Sequence, residues 1–210
     1  MTDQDIIAAA KPYSMTAGNN LLATVQAVHR VDRGVKGDIV ECGVWRGGHI
    51  IAAMLAASTP RTYWLFDTFD GMTEPGPRDF RKGHHATDSS KFKKKGLKQW
   101  CRAELEEVKN NVEQFQRQDQ TVHYITGPVQ HTLTQSALPS KIAVLRLDTD
   151  FYDSTKIELE VLWPRLARGG ILIVDDFHSW DGCRQACEEY FGENFVYESI
   201  NNKSIWVVKQ

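Results

Sequence analysis

The chain has 210 residues, a length that suits one soluble domain and is too short for two large ones. Its 25 Lys and Arg residues and 27 Asp and Glu residues give a net charge of −2, which argues against a nucleic-acid binder that works by bulk counterion release. No run of about 18 apolar residues occurs, so we expect no membrane span. The N-terminus shows no secretory pattern, and the 4 cysteines form neither a CxxC pair nor a zinc spacing. We therefore expect reduced thiols in a cytoplasmic protein.

Strand-like runs alternate with helix-like stretches, a pattern typical of an α/β domain with a parallel sheet. In chain order, the sequence predicts a helix at 21–31, a strand at 37–44, a helix at 49–57 and a strand at 62–69. After a long loop come a helix at 100–118, a strand at 121–127, a short helix at 129–137, a strand at 141–150, a helix at 154–167, a strand at 169–176 and a helix at 180–191. Two closing strands flank Asn201-Asn202, a hairpin signal. We count seven strands, the last antiparallel, in one domain over residues 1–210 that begins with a helical segment at 1–36.

The loop at 70–99 differs from the rest of the chain. It carries Pro and Gly turns, two adjacent histidines and the run KFKKKG. A loop of this length within a compact domain is usually functional or mobile. We therefore predict a mobile loop that covers a substrate.

A glycine-rich turn, ECGVWRGG at 41–48, follows a predicted strand and opens a predicted helix. Gly43 permits a tight turn, while Gly47 and Gly48 let a ligand approach the backbone beside the free N–H groups of a helix N-terminus. Asp67 ends the next strand, where a carboxylate can accept hydrogen bonds from ribose hydroxyls. The turn and Asp67 predict a nucleoside-binding edge; the alternative is that both are only structural, with Asp67 as a cap.

Acidic residues also follow two later strands. Asp148 and Asp150 end one of them, and Asp175 and Asp176 end the next. The carboxyl ends of neighbouring parallel strands meet at one edge, where these carboxylates would repel each other without a cation. Oxygen-only ligands suit Mg²⁺. The sequence therefore predicts a divalent metal site, with helix capping as the alternative role of some of these acids.

At this point the chain resembles the TylF/MycF/NovP family of macrocin-type O-methyltransferases, which depend on S-adenosylmethionine and a divalent metal. The resemblance lies in GDIVECGVWRGG, LFDTFDGM, LRLDTDFYDSTKIELEVLWPRLARGGILIVDDF and WDGCRQACEEYF, with an upstream YSMT that is similar to the family's YTMT. It covers nearly the whole chain. It implies the class I methyltransferase fold, a Rossmann-like, seven-stranded, mostly parallel sheet with an antiparallel last strand and helices on both faces.

The resemblance also implies site residues. Those for the cofactor are Glu41, Gly43, Val44, Trp45, Arg46, Gly47, Gly48, Asp67, Thr68, Phe69, Val129, Gln130 and Asp148. Asp148, Asp175 and Asp176 match the family's Mg²⁺ ligands, and Asp148 also matches the position proposed there as general base.

Two positions depart from the family pattern. Thr149 stands where antibiotic-tailoring members often have glycine, in LDTD instead of LDGD. His178 follows the second acidic pair by two residues and is a candidate catalytic or substrate-contacting histidine. Many relatives have a DDYGHW-like segment where this chain reads DDFHSW, so His178 is displaced by one position.

The expected reaction is methyl transfer from S-adenosylmethionine to a hydroxyl of a sugar or other polyol, in natural-product tailoring. We expect a small-molecule substrate and no nucleic-acid or membrane partner, and a homo-oligomer stays open. One alternative is a non-catalytic methyltransferase-like scaffold. A nicotinamide-dependent Rossmann oxidoreductase is less favoured, because the first glycine turn is not GxGxxG.

Overall fold

The computed structural model describes residues 1–88, 93 and 99–210. Its strands are β1 (Asp38–Cys42), β2 (Thr62–Asp67), β3 (Phe80–Arg81), β4 (His84–His85), β5 (Thr121–Thr126), β6 (Ile142–Leu147), β7 (Leu166–Val174), β8 (Glu198–Ser199) and β9 (Ile205–Val208). Seven of them form one sheet in the order β5-β2-β1-β6-β7-β9-β8, and β3 pairs with β4 in a separate hairpin. The first five strands of that order are parallel, while β9 runs antiparallel between β7 and β8. The predicted seven-stranded sheet with an antiparallel last strand is confirmed.

Helices cover both faces of this sheet. They are α1 (Asp3–Ala10), α2 (Gly18–Val31), α3 (Gly48–Ala56), α4 (Leu105–Glu113), α5 (Val129–Gln135), α6 (Tyr152–Leu162) and α7 (Asp181–Phe191). Successive strand residues point to opposite faces. Ile39 thus belongs to a core with residues of α1 to α4, and its neighbour Val40 belongs to a second core with residues of α5 to α7. In the part of the chain that the structure describes, no helix is long and apolar enough to cross a membrane.

Several element boundaries differ from the prediction for local reasons. The helix expected at 100–118 spans only Leu105–Glu113, and the chain turns at Cys101, whose φ is 55°, before the helix begins. The helix expected at 154–167 ends at Leu162, and Pro164 lies in the short 3₁₀ turn that follows. Helix α1 lies within the helical segment predicted at 1–36, but no separate bounds were predicted for it. A capping box between Thr2 and Asp5 starts it, a local signal that the sequence does carry.

The described part of the loop at 70–88 is anchored to α6 through Asp79. This carboxylate is buried and accepts hydrogen bonds from the backbone N–H groups of Tyr152 at 2.8 Å and Gly76 at 2.6 Å. It therefore caps the first turn of α6 and holds the β3–β4 hairpin near the carboxyl edge of the sheet. Of the loop that we predict to be mobile, residues 89–92 and 94–98 lie outside the described residues.

A close backbone contact restricts which residue can occupy the turn after β1. Gly43 has a φ of 81°, and a Cβ atom there would overlap the carbonyl oxygen of Asp148. Gly83 has a similar φ of 77°, but a Cβ atom there would meet nothing within 4 Å. Both alanine variants carry the left-handed strain of about 1–2 kcal/mol. We expect Gly43→Ala to lower the free energy of unfolding by at least ~2 kcal/mol more than Gly83→Ala does, because the overlap with the carbonyl oxygen has to be relieved.

Urea unfolding of the two variants and the wild type measures this difference. The Gly83→Ala variant is the matched control, since the backbone strain is the same and the contact is absent. Equal losses in the two variants would contradict the close approach of Gly43 to the strand end at Asp148.

Candidate active site

The carboxyl edge of the sheet opens into a cavity of about 410 Å³. Most of the predicted site residues line it: Glu41, Gly43, Val44, Trp45, Gly48, Asp67, Thr68, Val129, Gln130, Asp148, Asp175 and Asp176. Four predicted residues are not among its lining: Arg46, Gly47, Phe69 and His178. The structure therefore brings the glycine-rich turn and the acidic strand ends to one space.

The glycine-rich turn is joined to the end of β2 by Asp67. Its Oδ2 accepts hydrogen bonds from the backbone N–H groups of Val44 at 2.7 Å and Trp45 at 3.0 Å, and its Oδ1 accepts one from Phe69 at 2.8 Å. Burial raises the pKa of Asp67, and these amide hydrogen bonds oppose that shift. Asp67 therefore fulfils the capping role that the sequence left open while it also lines the cavity.

A buried guanidinium lies between the acidic strand ends. Arg146 Nη1 donates to Glu41 Oε1 and to Asp148 Oδ2, both at 2.8 Å, and Nη2 donates to Asp175 Oδ1 at 2.7 Å. The Arg146 side chain is only 3% exposed. Burial alone would lower its pKa, but the three carboxylates raise it above the usual value. The ion pairs hold the ends of β1, β6 and β7 together.

Three carboxylates form a close group beside this arginine. One oxygen each of Asp148, Asp150 and Asp176 lies within 4.8 Å of the others. Burial, followed by repulsion from neighbouring carboxylates, raises the pKa of Asp148 and of Asp176 well above the usual range and that of Asp150 to about 6. The arrangement concentrates more negative charge than the single guanidinium neutralises.

Asp175 belongs to a different contact set from its neighbour Asp176. Its Oδ1 accepts hydrogen bonds from Arg146 and from Asn20 Nδ2 at 3.0 Å, and its backbone carbonyl accepts one from the Ser204 hydroxyl at 2.7 Å. The structure therefore places Asp150, and not Asp175, in the close carboxylate group with Asp148 and Asp176.

Arg46 and His178 have other partners. Arg46 pairs with Glu107 of α4 at 2.6 Å and stacks near Trp45 and Tyr13, so it binds α4 to the outside of the turn. His178 is exposed and packs against neighbouring aromatic rings, Phe177 among them. Neither residue lines the cavity, and their roles in the site stay predictions.

The N-terminal segment completes one wall of the cavity, and it is absent from the predicted site residues. Thr16 Oγ1 lies 2.9 Å from His49 Nε2, and Thr24 Oγ1 lies 2.8 Å from His49 Nδ1. Burial lowers the pKa of His49 well below its usual value, so the ring is neutral, with one nitrogen donating and the other accepting. A Cβ atom on Gly48 would come within 2.6 Å of Ser14 Cβ. The only sequence signal for this wall is the similarity of YSMT to the family's YTMT.

The β3–β4 hairpin, which lies within the loop predicted to cover a substrate, forms a second wall together with two tryptophans that were not predicted. Arg81 of β3, Trp100 and Trp180 line the cavity. The Arg81 guanidinium lies 5.6 Å from the centre of the Trp180 ring. Strands of two residues carry no alternating pattern, so the sequence offered no signal for this hairpin.

The Arg146 ion pairs generate a stability prediction. We expect Arg146→Met to lower the free energy of unfolding by about 3–5 kcal/mol, because the substitution leaves buried carboxylates without their cation. The pKa of Glu41 is already raised to about 8, mainly by burial. Protonation relieves the unpaired charge, so the loss is expected to be smaller below this pKa than above it.

Urea unfolding at several pH values measures the effect. Arg184→Met is the control, since Arg184 pairs with Asp181 on the surface, where the side chains are 47% and 53% exposed. It should cost no more than about 1 kcal/mol. A similar small loss in Arg146→Met would contradict the central role of the buried arginine.

Comparison with known proteins places the chain in one family. A family model described as Macrocin-O-methyltransferase (TylF) matches residues 3–208. The 8-demethyl-8-(2,3-dimethoxy-alpha-L-rhamnosyl)-tetracenomycin-C 4'-O-methyltransferase of Streptomyces olivaceus is 38% identical over 174 residues, 80% of this chain and 63% of that protein. The demethyldecarbamoylnovobiocin O-methyltransferase of Streptomyces niveus is 34% identical over 168 residues, 76% of this chain and 60% of that protein.

A solved structure agrees with these relatives. The O-methyltransferase NovP matches with a TM-score of 0.77 and 29% identity, over 94% of this chain and 82% of NovP. The chain spans less than two thirds of the length of the two curated relatives. Because the family model matches nearly all of the chain, the protein belongs to the macrocin O-methyltransferase (TylF) family.

Proposed function

We propose that the protein is an S-adenosylmethionine-dependent O-methyltransferase that methylates a hydroxyl of a sugar or other polyol with the help of a divalent cation. The observation that carries the proposal is the continuity of one cavity, which runs from the glycine-rich turn to the carboxylate group of Asp148, Asp150 and Asp176. Such a cavity can hold a methyl donor at one end and an acceptor hydroxyl at the other. Membership of the TylF family supports the same reaction.

Two orphaned acceptor atoms support the cofactor assignment. Glu41 Oε2 and Gln130 Oε1 are buried and have no hydrogen-bond partner among the described residues, and both residues line the cavity. Buried acceptors without partners are costly, and S-adenosylmethionine offers an ammonium group and an adenine amine as donors. In the proposal these groups satisfy Glu41 and Gln130, while Asp67 lies at the end of β2, where ribose hydroxyls bind in related folds.

The carboxylate group fits a hard divalent cation. Three carboxylate oxygens within 4.8 Å of one another are the ligand type that Mg²⁺ prefers. We propose Asp148 and Asp176 as ligands, since they belong both to the predicted set and to the close group. The third is Asp150 or Asp175, which the variants below distinguish. When bound, the cation would lower the pKa of a coordinated acceptor hydroxyl.

The protein's own residues would then position the acceptor and receive its proton. Arg146 engages Oδ2 of Asp148, which orients this carboxylate and leaves Oδ1 outside that ion pair. We propose that Asp148 accepts the proton of the acceptor hydroxyl as general base. The walls made by the N-terminal segment and the β3–β4 hairpin would restrict water and align the hydroxyl with the methyl group.

The acceptor class rests on the relatives. The name of the Streptomyces olivaceus relative gives a rhamnosyl tetracenomycin as its substrate and a 4′ oxygen as the methylated position. A sugar hydroxyl fits the cavity chemistry, because neighbouring hydroxyls can contact several carboxylates at once. We therefore propose a deoxysugar, free or attached to a larger small molecule, as the acceptor.

Activity is tested with labelled S-adenosylmethionine and a panel of deoxysugars, nucleotide-linked sugars and glycosylated natural products. We expect label transfer with Mg²⁺, loss of transfer in EDTA and recovery when Mg²⁺ is added back. S-adenosylhomocysteine should bind with a Kd on the order of micromolar in calorimetry. The absence of both heat and a thermal shift with S-adenosylhomocysteine would contradict the methyltransferase assignment.

Metal ligands are tested by Mn²⁺ titration of Asp176→Asn, Asp150→Asn and Asp175→Asn. Asp176→Asn should weaken Mn²⁺ binding by at least ~10-fold, because it removes a charged ligand. Of Asp150→Asn and Asp175→Asn, the variant with the larger loss of Mn²⁺ affinity identifies the third ligand. Asp153→Asn is the control, since Asp153 is an exposed acid in the first turn of α6 and lies outside the carboxylate group. Unchanged affinity in Asp176→Asn would overturn the proposed site.

A further inference from the structure

Glu158 is a buried carboxylate that no step of the proposed reaction uses. It lies on α6, is 0% exposed and does not line the cavity. The Thr149 hydroxyl lies 3.0 and 3.1 Å from its Oε1 and Oε2 and shares its one proton between them, and the buried Cys42 thiol is a second hydrogen-bond partner. Burying a carboxyl group is costly, and an apolar pair of similar size would fill the same space without that cost. The contact with Thr149 is therefore the feature to explain.

The start of α6 also contacts the Thr149 backbone. The Thr149 carbonyl accepts a hydrogen bond from the Phe151 N–H at 2.8 Å. The Ser154 hydroxyl lies 3.3 Å from the same carbonyl, but its shorter contact is to the Phe151 carbonyl at 2.9 Å. Ser154 and Glu158 are four residues apart and so lie on one face of the helix. The main contact between this face of α6 and Thr149 is therefore the Glu158 side chain, and Ser154 adds a longer contact to the Thr149 carbonyl.

Thr149 lies between two members of the carboxylate group. Asp148 precedes it, and Asp150 follows it with a φ of 67°, in the left-handed region. Like charges at this distance repel each other, and the left-handed region is sparsely populated by residues other than glycine. Without an anchor, the turn could relax by moving the two carboxylates apart.

We propose that Glu158 is a positioning residue, which acts through Thr149 to hold Asp148 and Asp150 at the separation required for a divalent cation. This inference rests on the proposed metal site. It assigns a role to the Thr149 hydroxyl, which reaches from the turn to the Glu158 carboxyl group on α6 and which a glycine at this position would lack.

The test distinguishes a positioning role of Glu158 from a merely structural one, in which Thr149 only supplies a hydrogen bond to the buried carboxyl group. The double variant Thr149→Val/Glu158→Met replaces the threonine and the carboxyl group with apolar groups of similar shape, so the anchor is lost. Of the groups bonded to Glu158, only the buried Cys42 thiol, a weak donor, then lacks its acceptor. Glu158→Gln keeps an acceptor for the Thr149 hydroxyl. Thr155→Val is the matched control, since Thr155 is a 1% exposed threonine on the same helix that is not bonded to the turn.

Mn²⁺ binding is followed by the loss of the free-ion signal in electron paramagnetic resonance, on the full chain, together with the Tm of each variant. We expect the double variant to keep a Tm near that of the wild type but to bind Mn²⁺ about tenfold more weakly. The Mn²⁺ affinities of Glu158→Gln and Thr155→Val should stay within about threefold of the wild-type value. Wild-type Mn²⁺ affinity in the folded double variant would overturn the proposal.

Two further experiments cover the cases in which the double variant does not fold or the wild type binds no Mn²⁺. If the double variant does not fold, Thr149→Ser and Thr149→Ala repeat the comparison, because only serine keeps the hydroxyl; equal Mn²⁺ affinity in these two would overturn the proposal. If the wild type binds no Mn²⁺, the proposed metal site is wrong, and a crystal structure of the double variant decides the positioning role. A turn in which Asp150 leaves the left-handed region supports that role, and an unchanged turn overturns it.

Discussion

Arg146 donates hydrogen bonds to carboxylates at the ends of three strands, Glu41 of β1, Asp148 after β6 and Asp175 after β7. Each of these acids would be costly at this depth without a cation beside it. Because one guanidinium serves all three, the contact that neutralises their charge also sets the spacing of the strand ends. The glycine-rich turn, which continues from β1, and the carboxylate group, which continues from β6 and β7, both depend on that spacing.

Close backbone packing adds a second constraint at the same edge. Gly43 leaves β1 so near the carbonyl oxygen of Asp148 that a side chain could not fit. Gly48 in turn admits Tyr13 and Ser14 of the N-terminal segment against the start of α3. Two glycines of one turn therefore face different neighbours, one inside the sheet and one outside it. Through these two contacts the short turn packs against the sheet on one side and against the N-terminal segment on the other, and both glycines line the cavity.

The distribution of charge explains why a nearly neutral chain can hold a strongly acidic site. Its net charge is −2, yet Asp148, Asp150 and Asp176 gather at one end of the cavity. Arg146 is shared among several carboxylates, so it cannot neutralise this group. Burial and mutual repulsion raise the pKa of all three acids, which marks a place where added positive charge would be favourable. A cationic methyl donor and a divalent ion are the partners that the proposed reaction brings there.

The sequence by itself determined the alternation of strands and helices, the glycine-rich turn and the placement of acids at the strand ends, because these depend on local periodicity and on the rule that parallel strands share an edge. It could not separate Asp175 from Asp176, since adjacent residues at a strand end point to opposite sides and only the neighbouring strand shows which side holds Arg146. Only the tertiary structure shows that Arg46 and His178 are not among the residues that line the cavity, whereas residues of the N-terminal segment and of the β3–β4 hairpin are. These outcomes depend on contacts between segments far apart in the chain, for which a local pattern has no signal.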